Sequence, residues 1–173
     1  IPPPSILQIE VTKNCNLKCV FCHKGQCDEF VRTDISDIVI QQVAPIFPYI
    51  KLAMLFGDGE PLLYSGFWDL VSAIRKESPL CAIEFITNGT TLTKDNVNKC
   101  LEYKVSNIGV SLAGATSETH NKLRLKSDLD QIKSNLMYLK KRKEELNILE
   151  PYVSTLFTVM QSNYTELPDF IKW

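Results

Sequence analysis

Five short apolar runs punctuate this chain, and each is followed by apolar residues recurring at helical spacing. The runs Ile6–Val11, Ile50–Phe56, Ile83–Thr87, Asn107–Leu112 and Tyr152–Met160 have the length and residue content of strands. After the first, Thr33-Asp34-Ile35-Ser36 offers N-capping side chains, and Ile35, Ile38, Val39, Gln42 and Val43 follow with helical periodicity. Leu70, Val71 and Ile74 share one face of a helix over Phe67–Lys76, and a second helix covers Asp95–Tyr103. Leu129, Ile132, Leu136, Leu139 and Leu146 draw a stripe along Asp128–Leu146, and Tyr164–Lys172 opens a fifth helix. Strand and helix patterns that alternate in this way predict βαβ units and a parallel sheet, an α/β fold. Five βα units are visible, and a closed eight-unit barrel takes about 250 residues. The pattern breaks off at Trp173 inside a helix, so the sequence reads as a fragment lacking a last βα unit.

Composition narrows the class without choosing within it. A chain of 173 residues fits one domain, for which about 100–200 residues is usual. With 45% hydrophobic and 23% charged residues it is an ordinary globular composition. Nineteen basic residues against twenty acidic ones leave a net charge of −1, which implies no nucleic-acid partner. The charge run Lys140-Lys141-Arg142-Lys143-Glu144-Glu145 reads as a solvated helix face. Apolar stretches such as Leu52–Phe56 are too short to cross a bilayer, and the start at Ile1-Pro2-Pro3-Pro4 carries no signal-peptide pattern. Six cysteines, clustered in one loop and scattered elsewhere, fit a reduced cytoplasmic chain, with Cys81 and Cys100 as small buried hydrophobes.

The cluster of cysteines is where chemistry enters. Cys15, Cys19 and Cys22 form a Cys-x3-Cys-x2-Cys loop beyond the first strand. Soft thiolates suit iron–sulfur clusters, and three of them on a 4Fe–4S cube leave one iron open to a small molecule. A closed zinc site is the competing reading. It needs a fourth ligand, for which Cys27 is better placed than His23, adjacent to Cys22. Other informative residues fall on the carboxyl ends of strands, where parallel βα folds gather their chemistry. Gly57-Asp58-Gly59-Glu60-Pro61 follows the second strand, Thr87-Asn88-Gly89 the third, and Ser111, His120 and Arg124 the fourth. Read alone, the first two are tight turns, and no third glycine supports a dinucleotide site.

In order along the chain, these four groups resemble the motifs of the radical S-adenosylmethionine (radical SAM) enzymes. The resemblance runs from about Ile6 to Trp173. It implies a partial, TIM-like (β/α)6 barrel, of which about five units are present. It implies that Cys15, Cys19 and Cys22 hold a 4Fe–4S cluster, whose open iron chelates the amino and carboxylate groups of SAM. The remaining cofactor contacts are Gly57, Gly59, Glu60 and Pro61, with the methionyl amino group at Gly59 and Glu60, and Asn88 in the Thr-Asn-Gly turn. Ser111 and Arg124 match the positions that bind ribose and carboxylate, and Phe21 the one that packs on adenine. No catalytic residue is assigned, His120 included.

The implied reaction is reductive cleavage of SAM to methionine and a 5′-deoxyadenosyl radical that abstracts hydrogen from a substrate. Flavodoxin or ferredoxin is the kind of electron donor expected. Lys13 and Lys18 are expected to offset cluster charge. The Ser-Leu-x-Gly-Ala-Thr wording and Asn163-x-x-Glu166-Leu167-Pro168 resemble members with a cysteine-rich C-terminal extension, several of which modify peptides or proteins. The expected activity is therefore a radical SAM oxidoreductase of maturase type, with a peptide, protein or small molecule as substrate. A non-catalytic iron–sulfur or zinc module is the alternative. One departure stands out: relatives usually carry Asp where this chain has Ala113.

Overall fold

The computed structural model describes residues 2–26 and 33–172. Cys27 and Trp173 lie outside the described residues, and with Cys27 goes the proposed fourth zinc ligand. The strands are β1 (Ile6–Gln8), β2 (Lys18–Cys19), β3 (Leu52–Met54), β4 (Ala82–Thr87), β5 (Asn107–Leu112), β6 (Arg124–Leu125) and β7 (Tyr152–Phe157). Five of them form one parallel sheet in the order β1-β3-β4-β5-β7, and β2 pairs with β6 in a separate antiparallel ribbon. In register, Leu7 stands opposite Ala53, Ala53 opposite Ile83, and Phe85 opposite Ile108.

Alternation explains which face is covered. Ile83, Phe85 and Thr87 of β4 are buried while Ala82, Glu84 and Ile86 between them are partly exposed. Ile108, Val110 and Leu112 of β5 join the same apolar layer. Helices α3 (Phe67–Glu77), α4 (Lys94–Glu102) and α6 (Leu129–Leu146) contribute the facing side chains, among them Phe67, Ile74, Val97, Ile132 and Leu139. Phe67 meets Phe85 edge to face with centroids 5.4 Å apart, a favoured aromatic geometry. Cys81 and Cys100 are buried in this layer as expected.

Helix starts follow the capping chemistry. Ser36 caps α2 (Asp37–Val43), Thr93 caps α4 and Asp128 caps α6, each side chain accepting from a first-turn N–H. The stripe of α6 ends at Asn147 in a left-handed conformation, a usual helix stop. One predicted helix is prolonged and another is divided. Beyond Val43 the chain tightens into a 3-10 helix, Ala44–Tyr49, in which Pro45 and Pro48 have no N–H to donate. Tyr164–Lys172 divides into a 3-10 turn, Tyr164–Glu166, and a short α7 (Leu167–Ile171) with Pro168 in its first turn.

The first strand is also shorter than the apolar run that predicts it. After Gln8 the N–H of Ile9 still reaches Met54 O at 2.9 Å, but Val11 O turns to accept from Ile35 N. That departure lifts the chain off the sheet and starts the cysteine loop. Elements not foreseen include the short helix α1 (His23–Gln26), the β2–β6 ribbon and helix α5 (Ser117–Leu123). At the opposite end of the sheet, Arg75 of α3 donates to the carbonyls of Pro79, Cys81, Tyr103 and Lys104. It fastens the loops entering β4 and β5, away from the strand ends that carry the motifs.

Candidate cluster and cofactor site

The cysteine loop is held from both sides. Thr12 Oγ1 and Asn14 Nδ2 both donate to Asp34 Oδ1, and Lys13 N donates to Thr33 O. From the other side Glu60 N donates to Asn14 O at 2.8 Å. Gly59 packs so closely that a Cβ there would lie 2.1 Å from the Thr12 carbonyl oxygen. Gly57 lies over Glu10, whose carboxylate accepts from Asp58 N at 2.7 Å. The Gly-Asp-Gly-Glu-Pro turn therefore forms the seat of the loop that carries Cys15.

Glu60 ties two strand ends together. It is only 2% exposed, and its carboxylate accepts from Thr87 Oγ1 at 2.6 Å, Thr91 Oγ1 at 2.7 Å and Asn88 N at 2.7 Å. Burial pushes its pKa up, and those donors pull against the rise by favouring the charged form. Pro61, also buried, opens a 3-10 turn over Pro61–Leu63. Asn88 is fixed through Thr90 and donates from Nδ2 to Asn16 Oδ1 at 2.9 Å, with Cys15 Sγ at 4.0 Å. Gly89 takes φ +81°, the left-handed turn for which glycine is suited, and lies against Ile132 and Val110.

The third side of the site is built by the β2–β6 ribbon. Its register sets Cys19 opposite Arg124, with Arg124 Nη1 3.8 Å from Cys19 Sγ. The guanidinium lies over the Phe21 ring, 5.3 Å from its centroid. Lys13 and Lys18, the cations expected beside the cluster, are both exposed, so the buried cation at the cysteines is Arg124. Ser111 sits partly exposed at the carboxyl end of β5.

Sequence reasoning did not assign the groups that hold this third side. Asn163 is buried and donates from Nδ2 to Ala113 O and Thr158 O, closing the end of β7 onto the end of β5. Glu166 accepts from Ala115 N, Thr116 N, Thr116 Oγ1 and Thr119 Oγ1. Burial of Glu166 opposes ionisation, but the donors from Thr119, Ala115 and Thr116 outweigh it and leave its pKa low. His120 is fully buried: its Nδ1 accepts from Ala113 N, so the neutral ring keeps its proton on Nε2, facing Ser127 Oγ at 3.0 Å. Gly114 backs onto the His120 backbone. The segment that delivers Arg124 is thus pinned at Ala113, Thr116, Thr119 and His120.

Burial, with Arg124 acting in the same direction, holds the His120 pKa at about 4, and Asp128 only partly offsets this. The unfolded chain, with an ordinary histidine, takes up a proton first as the pH falls. Stability should therefore decline from about pH 6.5 downward and reach a loss of about 3 kcal/mol below pH 4. Urea denaturation of the wild type and His120→Asn at pH 7 and pH 4.5 checks this. The variant, which keeps an acceptor for Ala113 N, should lose markedly less stability between the two pH values.

The donor set suits a cluster that carries its own negative charge. Burial raises the pKa of Cys15 and of Cys19, and Arg124 opposes the rise at Cys19. Burial lowers the pKa of Arg124, whereas the three nearby cysteines act to raise it. Arg124 Nε is buried and has no hydrogen-bond partner among the described residues, a donor left for an anionic ligand. Among the described residues, no three His, Cys, Asp or Glu side chains are grouped to hold a single metal ion. Thiolates on a cube instead each bind a different iron. Cys15, Cys19, Cys22, Cys81 and Cys100 are all free thiols.

Residues 9–173 match the Radical SAM superfamily, and the chain belongs to it. Members of this superfamily are enzymes that use a 4Fe–4S cluster and SAM. The chain is 26% identical over 170 residues to the tungsten-containing aldehyde ferredoxin oxidoreductase cofactor-modifying protein of Pyrococcus furiosus, covering 96% of this chain and 47% of that protein. It is 29% identical over 131 residues to the mycofactocin maturase MftC of Mycolicibacterium smegmatis, covering 73% of this chain and 32% of that one. Among solved structures, SuiB of Streptococcus suis bound to S-adenosylmethionine superposes with a TM-score of 0.70 at 18% identity, over 98% of this chain and 37% of that chain. The anSMEcpe structure with bound AdoMet gives 0.69 at 22% identity, over 96% and 48%. These likenesses bear out the α/β barrel-like fold. The chain spans about half the length, or less, of these curated relatives. No helix among the described residues is long and apolar enough to cross a membrane.

Proposed function

We propose that residues 1–173 form one radical SAM core domain of an oxidoreductase or maturase acting on a peptide or protein. The observation that carries this is the convergence of three strand-end motifs on the cysteine loop: Gly59 under Thr12, Asn88 beside Cys15, and Arg124 beside Cys19. Cys15, Cys19 and Cys22 would hold the 4Fe–4S cluster. The unpartnered Nε of Arg124 supports it as the partner of the SAM carboxylate, where a guanidinium edge can donate two parallel bonds. When bound, the cluster and SAM supply one-electron cleavage of the sulfonium and a radical able to abstract hydrogen.

The chain's own residues orient and shield. Glu60 spends its carboxylate on Thr87, Thr91 and Asn88, so its part is to set the turn over which the methionyl amino group would lie. Arg124 lies over Phe21, the residue at the position assigned to adenine. Ser111 lies at the strand end assigned to ribose. With Ala113 buried beneath His120 and Asn163, that position offers only backbone groups, both already bonded. Ala113 thus offers no side-chain proton acceptor to a substrate. Free thiols accord with a reducing cytoplasm and with a flavodoxin or ferredoxin as donor. The peptide-substrate reading draws on the maturase relative.

Anaerobic reconstitution with iron and sulfide, followed by SAM and dithionite, tests the activity. The expected products, read by mass spectrometry, are methionine and 5′-deoxyadenosine. Full cluster content with no SAM turnover would identify a non-catalytic iron–sulfur module instead.

A further inference from the structure

We infer that Arg124 sets the reduction potential of the cluster through Cys19, independently of any contact it makes with SAM. This rests on the assignment of the cluster to Cys15, Cys19 and Cys22. Three features of the chain carry it. The β2–β6 ribbon places Arg124 directly across from Cys19, so the pairing of the backbone, and not side-chain reach alone, brings Nη1 to 3.8 Å from Sγ. Arg124 is only 7% exposed, so its charge is weakly screened by solvent. Among the described residues no carboxylate lies within ion-pair distance of it. A buried cation without an acid partner is costly, and once the cluster is bound the ligating sulfurs of the cysteine loop would supply the negative charge beside it. The Phe21 ring beneath the guanidinium keeps it in place.

A donor on a ligating sulfur and a positive charge beside it both favour the state that holds one more electron. The one-electron couple of the cluster is therefore easier to reduce with Arg124 present. Lys13 and Lys18 are exposed and act through solvent, so their influence is small.

Redox titration followed by EPR, on reconstituted protein without SAM, separates this role from SAM binding. In Arg124→Gln the ratio of reduced to oxidised cluster at a fixed solution potential should fall about tenfold, a midpoint lower by about 59 mV for one electron. Arg124→Lys, which keeps the charge but loses the planar fork, should fall several-fold, and Lys18→Gln should match the wild type. An Arg124→Gln protein with full cluster content and the wild-type midpoint overturns the inference, as does an equal shift in Lys18→Gln. If Arg124→Gln takes up no cluster, the neutral Arg124→Met is titrated in its place, and a wild-type midpoint there overturns the inference in the same way. Failure of the wild type itself to assemble a 4Fe–4S cluster would show up before any titration. It would remove the cysteine assignment on which the inference stands.

Discussion

Gly59→Ala should leave the chain poorly able to take up iron and less stable by about 3 kcal/mol or more, at the upper end of overpacking costs. The added Cβ would lie 2.1 Å from the Thr12 carbonyl oxygen and 2.8 Å from that of Asn14. Both obstacles are backbone, so no side chain can swing aside. Nor is the backbone free to retreat, because Thr12, Lys13 and Asn14 are each bonded to Asp34 or Thr33. Displacement would pass directly into Cys15, the next residue. Gly66→Ala is the matched control: its Cβ meets the ring edge and hydroxyl of Tyr64, a side chain and not backbone. Iron content after reconstitution and urea midpoints for the two variants check the contrast. Equal behaviour would mean that Gly59 is not the seat of the cysteine loop.

Glu60→Ala is the second large effect. Its carboxylate receives Thr87, Thr91 and the Asn88 N–H inside the protein. Deleting it strands those donors, and an unmet buried donor costs about 1–3 kcal/mol. The expected loss is about 3 kcal/mol, together with release of the turn holding Asn88 beside Cys15. In Glu60→Gln the amide oxygen still accepts and the threonine hydroxyls can turn to accept from its NH2, so about 1–2 kcal/mol is expected. Denaturation midpoints rank the variants. A wild-type midpoint for Glu60→Ala would rule out the bridging role.

Much of this architecture could be read from the chain because its signals are local and periodic. The β4 pattern from Ala82 to Thr87 alternates because one face meets helices, and Ser36, Thr93 and Asp128 announce their helices by capping. The cysteine loop, the Gly59–Glu60 turn and the Asn88 turn announce themselves as compact strings at strand ends. What stayed hidden depends on distant partners. Two-residue strands have no periodicity, so nothing near Cys19 discloses that Arg124, 105 residues away, lies across from it. Helix α5 is short and polar, and Ser117–Leu123 reads as a run of motif residues instead. Asn163 and Glu166 stand out in the sequence only as a family wording, which does not disclose that they bond to Ala113 and Ala115, about 50 positions earlier. His120, assigned no catalytic role from the sequence, is a buried residue bonded to Ala113 N and facing Ser127 Oγ.

In the proposed site three cysteines hold a cluster with one iron open to SAM, with Arg124 and Asn88 beside it. EPR of the anaerobically reconstituted, dithionite-reduced chain, with and without SAM, tests it most directly. The expected result is a 4Fe–4S signal that shifts when SAM is added and is lost in Cys19→Ala. A chain that instead retains one zinc and gives no SAM-sensitive signal would contradict it.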